Sequence, residues 1–320
     1  MKAIGGYFEL ADKEFYNALP VDGVALNTAR NSLEYIIKGI LDITQLYLPF
    51  YTCEAVIEPL KKLSVNYTFY HINEDFEIAD DIQLKSGEYI IVNNYFGIKD
   101  AYISKLAVEY KDRLIIDNAQ ALFAPTPVNT KACYSTRKFV GVADGGFATG
   151  VLPENGLSLE KDITHGRDTH LLIRKKFGAE QGFKEYQANE NKLVNNPIRL
   201  MSEETKDILQ HIDYSEIIKK RRNNFKYIHE QLKNDNLLKL PQLDSFKCPM
   251  VYPFFCSDLS LRKRLIDNKV FVACYWPNVL EWVSSNALEY KMAQNLIPIP
   301  IDQRYNIEDM CRIVKLVKNI

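Results

Sequence analysis

Surplus charge is what this sequence lacks most plainly: 40 Lys and Arg stand against 41 Asp and Glu, a formal net charge of -1 over 320 residues. No global field is left to recruit nucleic acid or an anionic membrane, so neither partner is expected. Long apolar runs are missing too. Nowhere do about 18 apolar residues follow one another, which argues against a membrane-spanning helix. The opening stretch "MKAIGGYFEL" carries no basic region followed by an apolar signal segment. Cysteine is sparse and scattered: Cys53, Cys133, Cys248, Cys256, Cys274 and Cys311 form no Cys-x-x-Cys pair, and no histidine stands at metal-ligand spacing. These absences predict a reduced, cytoplasmic protein with no metal. Internal repeats and low-complexity tracts are absent as well.

What is present is ordinary globular composition, 47% hydrophobic and 25% charged, in a chain long enough for one large domain and a smaller one. The first half alternates helix-like and strand-like patterns. In "ARNSLEYIIKGI", Leu33, Ile36, Ile37 and Ile40 share a helical face. "CEAVIEPLKKL" and "AYISKLAVEYK" read as helices, and "QLYLPFY", "VNYTFYHI", "EYIIVNNYFG" and "RLIIDNAQ" as strands or short apolar runs. Runs apolar on both faces belong in a parallel sheet covered by helices. The expectation is a doubly wound α/β domain over residues 1–205, with ligands at the carboxyl ends of its strands. From about 155 to 200 the pattern weakens into a polar, irregular excursion over a site or a partner. Residues 206–320 read as a small α+β domain, with "MVYPFFC" and "VFVACYW" as strands and "LRKRLIDNK" and "IEDMCRIVKLVKN" as helices. The "KKRR" run, Lys219 to Arg222, reads as a solvated helix face.

Three segments fall where such a sheet builds its site. In "ALNTARNSLEYII", Thr28 and Ala29 stand at a helix start, where free N–H groups and the helix dipole suit a phosphate; Thr28 reads equally as a plain N-cap. In "RLIIDNAQALFA", Asp117 ends an apolar strand, as a carboxylate needing a cation or as a turn former before Asn118. In "CYSTRKFVGVADGG", Lys138 lies between a strand-like stretch and the pair Gly145–Gly146, as a nucleophile or a surface cation. Phosphate seat, strand-end aspartate and a lysine 21 positions later are together what pyridoxal phosphate requires. The lysine forms a Schiff base, the carboxylate keeps the ring nitrogen protonated, and the helix start grips the phosphate.

In that order the segments resemble the DegT/DnrJ/StrS sugar aminotransferases, a family of fold-type-I pyridoxal-phosphate enzymes. The family's lysine, four residues, then Gly-Glu-Gly-Gly is similar to Lys138, "FVGV" and "ADGG", and its Asp-x-Ala-Gln/His segment to "DNAQ". "LPFYTCEAVIEPLKKLSVNYTFYHIN" looks like its Pro-x-Tyr/Phe-Thr loop, helix and strand. "IIKKRRNNFKYIHEQL" resembles its Arg-Arg helix and "LIPIPIDQRYNIEDMCRIVKLV" its Leu-Pro and final helix, so the likeness spans nearly the whole chain. Three positions depart from it. Cys133 stands where the family has a phosphate-binding serine, Cys53 follows Thr52 where an aromatic often stacks on the ring, and the phosphate loop is "NTAR".

The resemblance implies a fold-type-I transferase. Lys138 and Asp117 would be catalytic, with Gln120 at the ring or its phenolic oxygen. Ser135 would replace the missing phosphate serine, Cys53 would pack on the ring, and Thr28, Ala29 and Arg30 would lie at the phosphate. The implied reaction moves an amino group from a donor such as glutamate to a keto sugar on a nucleotide, in surface-polysaccharide or related amino-sugar synthesis. Tyr7, Tyr275 and Trp276 are candidates for the sugar pocket. Family members are homodimers with shared sites, so Asn195 or Asn196 would reach the other subunit's phosphate. Relatives that dehydrate their sugar replace the lysine with histidine, and this chain keeps lysine. A family member that has lost catalysis and serves as a binding or regulatory partner is the alternative from a different class.

Overall fold

The computed structural model describes residues 2–13, 15–151 and 159–319. The part of the expected excursion before residue 159 lies outside the described residues. Strands β1 (Ile4–Gly5), β2 (Val24–Leu26), β3 (Gln45–Pro49), β4 (Tyr67–Tyr70), β5 (Glu88–Asn93), β6 (Leu114–Asn118), β7 (Lys131–Ser135) and β8 (Gly146–Thr149) come from the first half. The second half adds β9 (Val251–Phe255), β10 (Val270–Phe271) and β11 (Leu296–Pro300). Seven strands form one sheet in the order β2-β8-β7-β6-β5-β3-β4. Only β8 opposes the rest: it runs antiparallel to β2 and β7, and every other pairing in the sheet is parallel.

Both faces of this sheet are covered, as its apolar runs require. Ile90 and Val92 of β5 and Leu114 and Ile116 of β6 enter one apolar cluster. Their alternating neighbours Ile91 and Ile115 enter another on the opposite face. Helices α1 (Ala29–Lys38) and α2 (Ile57–Lys62) close the second cluster with Leu33, Ile36, Ile37 and Leu60, while α3 (Asp100–Tyr110) closes the first with Ile103 and Leu106. Along the chain β3 leads to β4 on one side, then β5, β6 and β7 build the other way. The strand order therefore reverses between β3 and β5, which opens a crevice at their carboxyl ends.

The remaining helices are α4 (Thr169–Phe177), α5 (Phe183–Lys192), α6 (Glu203–Leu209), α7 (Tyr214–Leu232), α8 (Leu261–Asp267), α9 (Val279–Trp282), α10 (Leu288–Asn295) and α11 (Ile307–Lys318). Antiparallel β9–β11 and helices α7 to α11 form the smaller α+β part. Ser202 caps α6 by accepting from the Thr205 N–H, and Asn306 and Asp309 form a capping box on α11.

Three expectations need correction. The 155–200 stretch is not irregular throughout, since it contains α4 and α5. Both are too polar for an apolar stripe: α4 buries only His170, Leu171 and Arg174, and α5 only Asn189. The "KKRR" run is not a solvated face. Arg221 is 1% exposed, lies over the Phe139 ring at 4.6 Å and donates to the Met250 carbonyl at 2.8 Å, and Arg222 donates to the Phe246 carbonyl at 2.7 Å. Only Lys219 and Lys220 stay on the surface. In "VFVACYW" just Val270–Phe271 is a strand, paired with β1 at the start of the chain, because the backbone leaves any partner beyond Phe271.

His170 of α4 is 2% exposed, between the rings of Tyr7 at 5.8 Å and Tyr186 at 5.7 Å. Burial first, then the Arg137 charge, lowers it from 6.5 to about 4. The folded protein holds it neutral while the unfolded chain protonates it, so stability is intact above pH 6.5 and falls as pH drops toward 4. Discounted for solvent screening, the loss across that window is about 2 kcal/mol. Urea unfolding of the wild type and His170→Phe between those limits should show a steeper fall in the wild type. Parallel pH profiles would refute this assignment.

Candidate active site

The crevice at the carboxyl ends of the parallel strands holds a cavity, and each segment arrives there for a local reason. β7 ends at Ser135, and a turn follows in which the N–H groups of Phe139 and Val140 both return to the Thr136 carbonyl at 2.9 Å. Phe139 and Val140 are buried, so they anchor the turn in the core and leave Lys138 half-exposed at the cavity. The Lys138 amine makes no hydrogen bond or ion pair among the described residues.

The "ADGG" loop closes the same corner. Asp144, fully buried, accepts from the Ser202 N–H at 2.8 Å, from the Ser202 hydroxyl at 2.6 Å and from the Thr205 hydroxyl. Gly145 has φ +117, and a Cβ there would lie 2.3 Å from Thr136 Oγ1. A Cβ on Gly146 would lie 2.4 Å from the Thr28 carbonyl carbon, so β8 touches the start of α1 backbone to backbone. Thr28 caps α1 by accepting from the Asn31 N–H at 3.0 Å. The N–H groups of Ala29 and Arg30 have no partner among the described residues, and all three residues line the cavity. Cap and anion seat are therefore compatible readings of Thr28.

On the floor, Asp117 accepts from the Ala119 N–H at 2.8 Å and from the Cys133 thiol at 3.8 Å, both through Oδ1. Burial raises its pKa and the Lys138 charge opposes that. Oδ2 has no hydrogen bond among the described residues and is not sealed from the cavity. Cys133 is held well above its usual range by burial and by the Asp117 charge, so it is a neutral thiol donor. Gln120 accepts from the Phe96 N–H at 2.9 Å through Oε1, leaving Nε2 buried and unpartnered. Such an orphan donor costs about 1–3 kcal/mol unless something accepts from it.

Of the residues singled out in the sequence, Thr28, Ala29, Arg30, Cys53, Asp117 and Gln120 line this one cavity, as do Ser135, Lys138 and Trp276. Arg30 is not free: it pairs with Glu58 at 3.1 Å and donates to the Leu193 carbonyl at 2.5 Å. Tyr7 and Tyr275 are not in the lining. Tyr7 stacks on Tyr186 at 4.8 Å and donates to the Ala179 carbonyl at 2.8 Å, and Tyr275 packs on Phe96 at 6.0 Å. Asn195 and Asn196 lie beside this chain's own α1 and α2. The Asn195 N–H donates to Glu58 at 2.9 Å, and the Asn196 carbonyl accepts from Asn31 at 2.8 Å and Lys62 at 3.2 Å.

Asn93, Arg137, Glu190 and Leu193 also line the cavity and were not proposed as site residues. Asn93 ends the apolar run "YIIVN", the same signal that singles out Asp117. It donates to Thr52 Oγ1 at 2.9 Å and keeps Oδ1 buried without a partner. Glu190 and Leu193 come from the polar middle stretch, which gives no such signal. No cluster of metal-ligating side chains and no helix long and apolar enough to cross a membrane occurs among the described residues.

No protein-family model matches the sequence, and no curated protein matches it. Solved structures do. An aminotransferase of the DegT DnrJ EryC1 StrS type from Brucella abortus superposes with TM-score 0.62 at 13% identity over 93% of this chain and 86% of its own. DesI, solved in the presence of its TDP-sugar product, gives 0.64 at 15% over 93% and 80%. Spr1654 from Streptococcus pneumoniae in its PLP form gives 0.64 at 14% over 98% and 92%. The chain has the fold of these proteins, an α/β architecture on a mostly parallel sheet.

Replacing Gly146 with alanine must push α1 away from β8. Gly146→Ala should lower the unfolding free energy by about 1–3 kcal/mol, read as a lower denaturant midpoint at unchanged slope. A midpoint equal to that of the wild type would show that the two backbones are not held in contact.

Proposed function

We propose that this chain is a pyridoxal-phosphate-dependent sugar aminotransferase of the DegT/DnrJ/StrS kind, taking an amino group from a donor such as glutamate and giving it to a keto sugar on a nucleotide. The observation that carries the reading is the meeting of an unpartnered amine, Lys138, with an open carboxylate oxygen, Asp117 Oδ2, in one cavity beside a free helix start. The fold shared with aminotransferases supports it.

The residues fit the cofactor. The partly buried Asp117 lacks a full set of donors and would be met by a protonated ring nitrogen. The orphan Nε2 of Gln120 would be met by the ring oxygen. The N–H groups of Ala29 and Arg30, with the Ser135 hydroxyl, would take the phosphate. Cys53 and Trp276 bring sulfur and an aromatic face to the lining. When bound, the cofactor supplies an electron sink that lets the bond from hydrogen to the amine-bearing carbon break. Lys138 would hold the cofactor through its amine and, once freed by the donor, would serve as the base that moves the proton. Leu33, Leu193 and Trp276 bring apolar surface to the lining, which would limit water there.

The further parts of the reading are a cofactor domain at 1–205, a small domain at 206–320, a cytoplasmic location and a homodimer with shared sites. Asn196 is the candidate for the partner's phosphate.

Purified protein mixed with pyridoxal phosphate should absorb in the visible, and the band should bleach on adding glutamate. Borohydride should fix the cofactor on the peptide that contains Lys138. Lys138→Ala should lose the dialysis-resistant band, and turnover should drop by roughly a thousandfold. A variant that keeps both would overturn the proposal.

A further inference from the structure

We propose that Arg137 anchors the carboxylate of the amino-acid donor, with Glu190 as the internal anion that the donor displaces. The inference rests on the functional reading above and assigns the donor's subsite within it. Arg137 sits on the turn that carries Lys138, Glu190 comes from α5, both line the cavity, and Arg137 Nη2 pairs with Glu190. Arg137 Nε is sealed and unpartnered. Nη1 has no hydrogen bond among the described residues and is not sealed, and Arg137 is one of the residues that line the cavity. The pair is also lopsided: the Arg137 side chain is 17% exposed and that of Glu190 40%. A guanidinium fixed in the wall thus holds a carboxylate that solvent can reach.

The surroundings leave this anion exchangeable. Asp144, the other carboxylate near Arg137, is bound by Ser202 and Thr205. The neighbouring His170 is neutral at working pH, since burial and the Arg137 charge lower it to about 4. Arg30, the other cavity arginine, is clamped by Glu58, which in turn binds Lys62 at 3.1 Å and the Asn195 N–H at 2.9 Å. Among the described residues the Glu190 side chain has no hydrogen-bond or ion-pair partner besides Arg137, so this pair lacks such a second layer.

The ligand follows from position. A donor amino acid carries its carboxylate on the carbon that bears the reacting nitrogen, so that anion must lie beside the Lys138 amine. The phosphates of a nucleotide sugar lie further from the carbon that receives the amine. A planar guanidinium fork matches a carboxylate with two parallel N–H bonds, which a lysine ammonium cannot reproduce.

The test uses the cofactor-loaded protein and follows the visible band as glutamate is added, with glutarate and inorganic pyrophosphate as unreactive competitors. Loss of a charge-assisted hydrogen bond predicts that Arg137→Met raises the glutamate midpoint about 10- to 100-fold, with Arg137→Lys recovering only part. Competition by glutarate should weaken in step. Glu190→Gln, which removes the internal competitor from an exposed position, should lower the midpoint several-fold. The inference is overturned if glutamate and glutarate titrate Arg137→Met as they do the wild type. It is equally overturned if only pyrophosphate competition is lost, or if Glu190→Gln raises the midpoint. Failure of Arg137→Met alone to take up the cofactor also overturns it, since Arg137 would then be holding the cofactor. A wild-type protein that never colours removes the functional reading and this inference together, whereas a coloured one with unmoved midpoints removes the inference alone.

Discussion

The contact between the backbone of β8 at Gly146 and the first residues of α1 is the constraint from which the geometry of the cavity follows. β8 is the strand that opposes its sheet, and it lies between β2 and β7. Through β2 it is joined to the segment that becomes the start of α1, and through β7 to the turn that carries Lys138. With no side chain at Gly146 the helix start sits directly on the strand, so the open N–H groups of Ala29 and Arg30 arrive beside the β7 end. Asp144, one residue before the glycine pair, fastens the loop to the start of α6 with three hydrogen bonds. A buried carboxylate so fully satisfied keeps a fixed place, and the loop with it.

Charge in the cavity is arranged by pairs rather than by a net excess. Asp117 faces the field of Lys138, Arg137 faces Glu190, and Arg30 faces Glu58. The pairs differ in what each can still accept. Asp117 keeps one oxygen open, Lys138 has no direct partner among the described residues, and Arg30 is bound from several sides. Cys133 contributes a donor without a charge, because burial and the neighbouring carboxylate keep its thiol protonated. A serine at this position would be a stronger and closer donor, so the thiol gives Asp117 the longer and weaker hydrogen bond.

How much of this was legible depended on whether a residue's role is set by its own segment. The apolar runs of β5 and β6, buried on both faces, announce a covered parallel sheet, and the polar residue that ends such a run marks the crevice. That rule located Asp117 and applies without change to Asn93. The glycine pair after Lys138 pointed to a close approach, though not to its partner, since nothing in "ADGG" names Thr28. Arg221 was unreadable in another way. Its burial depends on Phe139 and on the Met250 carbonyl, both distant in sequence, while its neighbours Lys219 and Lys220 do lie in solvent. α4 and α5 escaped because a helix that buries one or two polar side chains shows no apolar period. Gly178, with φ +93 just after the basic end of α4, was the stop signal available in the sequence.

Those two helices also explain why Tyr7 matters without bordering the cavity. Glu190 and Leu193 can form the wall only if α5 is held against the body of the protein, and its own buried apolar surface is too small to do that. The hold comes from the opening stretch of the chain. Tyr7 stacks on Tyr186 of α5 and donates to the Ala179 carbonyl between the helices, and the Arg174 guanidinium of α4 lies 4.9 Å from the Tyr7 ring. Arg174 pairs with Glu9 at 3.0 Å, Glu9 with Arg304 at 2.9 Å, and Arg304 with Asp302 at 2.7 Å, which carries the connection into the C-terminal part. Largely buried ion chains of this kind add little net stability, yet removing one member strands the next charge away from water. Their effect is to select one position for α5 over its alternatives. The polar wall of the cavity is therefore set by side chains from both ends of the sequence, and neither end touches the cavity.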